Sequence, residues 1–131
     1  MIRKTSKESI APYLRDASNY SGGKAEEVLI PESVDELVRA LKDDLRPVTI
    51  SGAGTGLNAS RIPSEGIVIS LERLNEMRTV KNGEIWLGPA VTLLNLQEHL
   101  KNTNWFYPPN PTETNASIGG TLATNASGSR S

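Results

Sequence analysis

Gly52, Gly54 and Gly56 occupy alternate positions in Ser51-Gly52-Ala53-Gly54-Thr55-Gly56, directly after the apolar run Val48-Thr49-Ile50. A strand feeding such a loop can present several successive backbone N–H groups, because glycine tolerates conformations and close approaches that a Cβ forbids. The chemistry that fits is capture of an anion, phosphate above all, with no positive side chain required. Two familiar phosphate loops fail here. A P-loop closes with Lys followed by Ser or Thr, whereas Leu57-Asn58-Ala59 follows these glycines. A dinucleotide fingerprint needs a third glycine where Leu57 stands and a helix opening inside the loop, although Glu72 lies at about the distance expected of a ribose acid. Residues 57–65, with Pro63 among them, leave no room for a crossover helix. What remains is a nucleotide loop of a third kind, or a tight turn that holds nothing.

A second constellation lies near the end of the chain. Pro108-Pro109-Asn110-Pro111-Thr112 forms a stiff extended rail, since each proline fixes its own φ and biases the residue before it. Ser117-Ile118-Gly119-Gly120-Thr121-Leu122-Ala123-Thr124-Asn125 then joins a glycine pair to small and amide-bearing residues, a surface able to lie against a flat polar ligand. By composition alone the same stretch also reads as a proline-rich linker.

The remaining candidates are weaker. His99 is the one histidine, within a predicted helix, and without carboxylate partners it makes no metal site; a structural or surface role is expected. Trp105, Phe106 and Tyr107 could approach a ligand ring but are expected to pack the end of a sheet. Asp43 and Asp44 end a helix while Glu26 and Glu27 precede a strand, so neither pair reads as facing catalytic acids; both read as solvated charge. No general base, nucleophile or metal cluster assembles from these residues.

The elements that must position the loops are short. Val28-Leu29-Ile30 is an apolar strand stopped by Pro31, and Ser33 with Glu36 forms a capping box opening a helix. Val34, Leu37, Val38, Leu41 and Leu45 recur on one face of that helix, which predicts a core-facing stripe. Val48–Ile50 and Ile67–Ile69 are further strands, and Asn82-Gly83 between residues 78–81 and 84–87 predicts a hairpin. Thr92 caps a second helix carrying Leu93, Leu94, Leu96 and Leu100, ended by residues 102–104. The architecture is mixed α/β, and there is no internal repeat.

Composition narrows the partners. Fourteen basic against fifteen acidic residues leave a net charge of −1, which removes the general electrostatic case for nucleic acid or an anionic membrane. With no cysteine, disulfides, thiolate metal sites and cysteine nucleophiles are excluded, and 37% hydrophobic residues in 131 supply one modest core. The basic opening MIRKTSKESI runs into no long apolar stretch, so neither a leader nor an anchor is expected there, and the cytoplasm is the expected location.

Both glycine-bearing segments resemble one family. ISGAGTGLNAS resembles the pyrophosphate loop of FAD domains of the vanillyl-alcohol oxidase / p-cresol methylhydroxylase type. YPPNPTETNASIGGTLATNASGSRS resembles the segment that passes the flavin in their D-lactate dehydrogenase and glycolate oxidase branch. Gly88-Pro89-Ala90-Val91 matches a further flavin-side turn, and DASNYSGG and VLIPESVDEL match the family's opening. The fold implied is an α/β (α+β) FAD-binding domain of that type, its first subdomain and the start of the second. Residues 1–26 would be a lead-in, 27–107 the α/β subdomain and 108–131 the flavin-side segment, with the substrate domain absent.

By the same resemblance the backbone of Gly52, Ala53, Gly54, Thr55, Gly56 and Leu57 would hold the pyrophosphate of a non-covalent FAD. Pro109, Thr112, Ile118, Gly119, Gly120, Thr124, Asn125 and Ser127 would line its ribityl and isoalloxazine region. Ser51 departs from the Arg many relatives carry, and Asn58-Ala59-Ser60 from the small or glycine-rich run many of them have. The implied activity is that of a flavin-dependent parent enzyme oxidising a small-molecule 2-hydroxy acid, with hydride passing to FAD and the 131-residue chain alone inactive. Sugar-acid or alcohol oxidation stays open, as do a stand-alone nucleotide-binding module and a structural subunit with an empty loop.

Overall fold

The computed structural model describes residues 1–15, 22–52, 62–109 and 114–125. It divides into two compact units, Met1–Leu74 and Asn75–Ser131.

The first unit is built on one four-stranded sheet: β1 (Ile2–Lys4), β2 (Glu27–Ile30), β3 (Val48–Ser51) and β4 (Ile67–Ser70), in the order β1-β2-β4-β3. β1 runs antiparallel to β2, whereas β2, β4 and β3 are mutually parallel. β2 and β4 are buried along their whole length, as unbroken apolar runs in a parallel sheet require. Their side chains alternate between two faces. Val28, Ile30 and Val68 meet Ile10 and Tyr13, carried by α1 (Lys7–Ile10) and the 3-10 turn Ala11–Tyr13. Leu29, Ile67 and Ile69 meet Ala40 on α2 (Val34–Asp43), with Leu37 packed alongside. Layers cover both faces of the central strands β2 and β4.

α2 starts as expected: the Ser33 hydroxyl accepts from the Glu36 amide at 3.2 Å. The reciprocal bond is displaced by one residue, since the Glu36 carboxylate accepts from the Glu32 amide at 2.7 Å. The predicted stripe is only partly a core face. Leu37 and Ala40 turn inward, while Val34, Val38 and Leu41 are exposed and Leu45 is 96% exposed. Leu45 lies past the helix because Asp44 ends it, its carboxylate accepting from the Arg46 backbone N–H and Nε. The lead-in also holds more than the sequence foretold: β1, α1 and the 3-10 turn, the helix capped by Ser6.

The second unit gathers Val91, Leu96 and Leu100 into a core, with Met77, Val80, Ile85, Leu87 and Ile118 against it. Leu96 and Leu100 come from α3 (Leu93–Leu100), capped by Thr92 as predicted. The hairpin forms as two isolated antiparallel pairings, Met77 with Leu87 and Lys81 with Glu84, rather than as continuous strands. Asn82 and Gly83 take φ of 53° and 77°, the left-handed pair that a two-residue hairpin turn demands. Trp105, Phe106 and Tyr107, expected to pack a sheet end, are all exposed. A Cβ on Gly83 would sit 3.5 Å from the Trp105 ring, so that indole lies over the turn. α4 (Ile118–Ala123), within the stretch read as site or linker, is a short helix that periodicity did not reveal.

Candidate functional site

Open α/β sheets bind ligands beyond the carboxyl ends of their strands, where no side-chain layer covers the chain. Here those ends belong to β3 and β4. Ser51 and Ser70 stand opposite each other in register, both fully buried, and the Leu71 amide donates to the Ser51 carbonyl at 3.1 Å. The next residue, Gly52, is exposed. The strand thus delivers the chain to the glycine loop at the edge where a ligand can reach it. Ala53, Gly54, Thr55, Gly56 and Leu57 lie outside the described residues.

Two residues past the end of β4, Glu72 is exposed and held in place. The buried Tyr13 hydroxyl donates to its Oε1 and Oε2 at 3.1 and 3.0 Å, and the Ser70 hydroxyl donates to Oε2 at 3.1 Å. Tyr13 belongs to no motif; the pattern Ser6-x-x-Ser9 ahead of Pro12, a helix start followed by a stop, is the one clue to an element there.

In the second unit the structure joins two segments that sequence only set in order. The Ile118 amide donates to the Val91 carbonyl at 2.7 Å and the Gly119 amide to the Pro89 carbonyl at 2.9 Å. Thr92 and Ser117 form an antiparallel bridge. A Cβ on Gly119 would fall 2.7 Å from the Pro89 Cβ, so this glycine lets the helix seat on the Gly88–Val91 turn. The Gly120 amide donates to the Ser117 hydroxyl and the Thr121 amide to its carbonyl. With these amides engaged, α4 offers a ligand its exposed end: Leu122, 81% exposed, then Thr124 and Asn125, the last at φ 51°. Pro109 is half-buried; Thr112 and Ser127 lie outside the described residues.

The opposite ends of the strands are chemically different. Arg46, just before β3, bonds Asp44 at 2.6 Å, Glu27 at 2.9 Å and Glu26 at 3.2 Å, and Arg3 reaches Glu27 at 3.1 Å. Asp44 and Glu27, expected to be solvated charge, are therefore members of an ion-pair network, with the Glu27 side chain only 12% exposed. Hydrogen bonds from the Arg46 side chain, then from its amide, hold the Asp44 carboxyl down to about 2. Arg46 likewise lowers Glu27, and its own guanidinium is held more firmly protonated by Asp44 and then Glu27. His99 is exposed on α3, and among the described residues no group of acidic and histidine side chains is placed to hold a metal.

Residues 25–131 match the sequence profile of a family described as an FAD binding domain. The chain belongs to that FAD-binding family. Its relatives include a D-lactate dehydrogenase of Archaeoglobus fulgidus, 34% identical over 76% of this chain and 23% of that protein. The glycolate oxidase subunit GlcD of Escherichia coli is 30% identical over 92% of this chain and 26% of its own length. The chain thus spans about a quarter of the length of these relatives. An alkyldihydroxyacetonephosphate synthase structure superposes with a TM-score of 0.82 over 96% of this chain and 28% of its own, at 18% identity. Cholesterol oxidase from Brevibacterium sterolicum gives 0.65 over 78% and 21%, at 23% identity. The fold is accordingly the mixed α/β one of FAD-binding domains of the p-cresol methylhydroxylase type, and FAD is the family's cofactor. The residues present suit it. The strand edge ends in an exposed glycine, with a fixed acceptor following the adjacent strand, and α4 presents an apolar side chain, a hydroxyl and an amide. No helix among the described residues is long and apolar enough to cross a membrane.

Proposed function

We propose that this chain is the nucleotide-holding part of a flavin-dependent oxidoreductase whose substrate is a 2-hydroxy acid. The observation that carries the reading is the delivery of Gly52 by β3 to the carboxyl edge of a parallel sheet, in a chain of an FAD-binding family. The substrate class rests on the D-lactate dehydrogenases and glycolate oxidase subunits among the relatives, together with the Pro108–Thr112 and Ser117–Asn125 segments.

When bound, FAD supplies the hydride acceptor. The chain's own residues bind and orient. Backbone N–H groups of Gly52, Ala53, Gly54, Thr55, Gly56 and Leu57 receive the pyrophosphate, whose charge needs donors rather than a net positive protein. Pro109, Thr112, Ile118, Gly119, Gly120, Thr124, Asn125 and Ser127 form the flavin-side surface, with Gly119 acting through its seat on Pro89. We assign no side chain of this chain a proton-transfer step, and the 131-residue chain alone turns over no hydroxy acid. The flavin is not covalently attached within this chain, because there is no cysteine to bond it and His99 lies on α3 outside both segments. Acid precipitation of the holoprotein leaves the flavin in the supernatant; flavin recovered on a peptide within residues 1–131 would contradict this.

The test of the loop is Gly54→Val in the native-length protein. A β-branched side chain occupies space the pyrophosphate needs within hydrogen-bond distance of the backbone. Losing one or two charge-assisted contacts, about 1.5–3 kcal/mol each, lowers affinity by roughly one to several orders of magnitude. FAD retention is lost while circular dichroism is unchanged; Ser51→Ala, which keeps every backbone donor, weakens binding only slightly. FAD affinity equal to wild type in Gly54→Val by calorimetry sinks the proposal.

A further inference from the structure

Glu72 is an exposed carboxylate with an unusually fixed orientation. Its donors are both buried, the Tyr13 side chain from one face of the sheet and the Ser70 hydroxyl from the end of β4. A surface glutamate ordinarily samples many rotamers, and ordering it costs free energy on binding. Here that ordering is done in advance. A carboxylate has acceptor positions for about four donors and no hydrogen to give. Two hydroxyls take part of that capacity, and the rest faces outward.

The position of this acceptor matters as much as its fixity. Ser51 and Ser70 are paired in register, the Leu71 amide bonds the Ser51 carbonyl, and one residue further Gly52 opens the glycine loop while Glu72 follows β4. The glycine loop, read as the anion receiver, and a fixed acceptor thus leave adjacent parallel strands at the same carboxyl edge. In an adenosine diphosphate the phosphate and the vicinal diol hang from the same pentose, so one ligand of that class offers an anion and a pair of hydroxyl donors to adjoining points.

We propose that Glu72 binds the adenosine ribose of FAD through its 2′- and 3′-hydroxyls, with Tyr13 and Ser70 as positioning residues. The assignment rests on the reading of the glycine loop as the pyrophosphate site. A metal site or a structural strut accounts for the cluster less completely. A metal needs further ligands, and no acidic or histidine group able to hold one occurs among the described residues. A strut tying Tyr13 to β4 explains the hydroxyl bond but not a carboxylate left exposed. The chain differs from a dinucleotide fold, since residues 57–65, with Pro63 among them, leave no room for a crossover helix, yet the acid follows β4 at the carboxyl edge of the sheet all the same.

The experiment compares FAD with its 2′-deoxyadenosine analogue on flavin-free, native-length protein, by quenching of flavin fluorescence. Wild type binds the deoxy analogue about ten- to a hundredfold more weakly, the range for a lost hydrogen bond to a charged group. Glu72→Gln binds the two ligands within about threefold of each other, having lost most of the preference. Tyr13→Phe, which keeps the carboxylate but frees its rotamer, shows an intermediate preference that a purely structural strut would not alter. A wild-type protein indifferent to the 2′-hydroxyl, or a Glu72→Gln protein as selective as wild type, overturns the proposal. So does a Glu72→Gln protein that loses both ligands alike. Failure of the underlying loop reading is seen separately, as undiminished FAD binding by Gly54→Val.

Discussion

At the amino ends of β2 and β3, Arg46 is shared among Asp44, Glu27 and Glu26, and Gly66 is pressed against the Pro47 carbonyl. At the carboxyl ends of β3 and β4, two buried serines pass to an exposed glycine and an exposed, fixed carboxylate. The same strands therefore end in groups that satisfy one another on one side and in groups that face outward on the other. Partnered charge serves the fold; oriented but exposed acceptors and donors are what a ligand can use. A change at the amino edge should cost stability without touching ligand selectivity, and a change at the carboxyl edge should do the reverse.

The largest expected effect comes from Gly66→Ala. Gly66 has φ 74°, and a Cβ there runs into the Pro47 carbonyl oxygen, itself bonded to the Ile67 amide that starts β4. Left-handed strain and overpacking together should destabilise by about 2–4 kcal/mol, read as a lower urea midpoint with unchanged m. Any FAD that still binds at low temperature should show wild-type preference for the 2′-hydroxyl. A stable Gly66→Ala protein would mean that the β3–β4 entry is not held as described.

Gly119→Ala sharpens the comparison in the second unit, where a glycine in a proposed flavin-side segment is also a packing residue. A methyl 2.7 Å from the Pro89 Cβ should push α4 off its turn, at a cost of about 1–3 kcal/mol. Thermal melting of the flavin-free protein decides the matter. If Tm is unaltered and only FAD affinity falls, the glycine serves the ligand and not the seat on Pro89.

The smallest effect is expected for Arg46→Met, since the Arg46 side chain is 35% exposed and water screens its pairs. Tm at neutral pH drops by a few degrees at most. The pH dependence is more telling. Folding lowers the Asp44 carboxyl to about 2 and lowers Glu27 as well, so the folded state binds fewer protons than the unfolded one through this range. Their stabilisation is complete above about pH 6, where both carboxyls are ionised even when unfolded, and is lost as pH falls through the ordinary carboxylate range towards 2. In Arg46→Met that acid limb should flatten. An acid limb as steep as in wild type would show that other carboxylates carry it.

Some of this could be foreseen from local chemistry. Ser33 and Thr92 cap their helices because a hydroxyl needs only an amide three residues ahead, and Asn82-Gly83 turns because both tolerate positive φ. The runs Val28–Ile30 and Ile67–Ile69 announce buried parallel strands by having no polar alternation. The family is equally legible, because the two glycine-bearing segments carry its resemblance in residue type and order. Where the stripe on α2 misled at Leu45, the reason is also local chemistry, since Asp44 and Arg46 close the helix before it; the exposure of Val34, Val38 and Leu41 within the helix has no such local cause.

What the sequence could not determine is which residues meet across long stretches of chain. Glu72 reads as an acid at a suggestive distance, yet only the packing of Ile10 and Tyr13 on Val28, Ile30 and Val68 brings a hydroxyl from 59 positions away to fix it. Gly119 reads only as a ligand-facing glycine until the Ile118 and Gly119 amides are found on Val91 and Pro89, which gives it a packing role as well. Asp44 and Glu27 read as solvated until Arg46 stands between them. Capping, turning and strand burial are settled by neighbours in sequence, so residue type and spacing determine them. Pairings between distant segments depend on sheet order and register, and those were decided only when β4 inserted between β2 and β3.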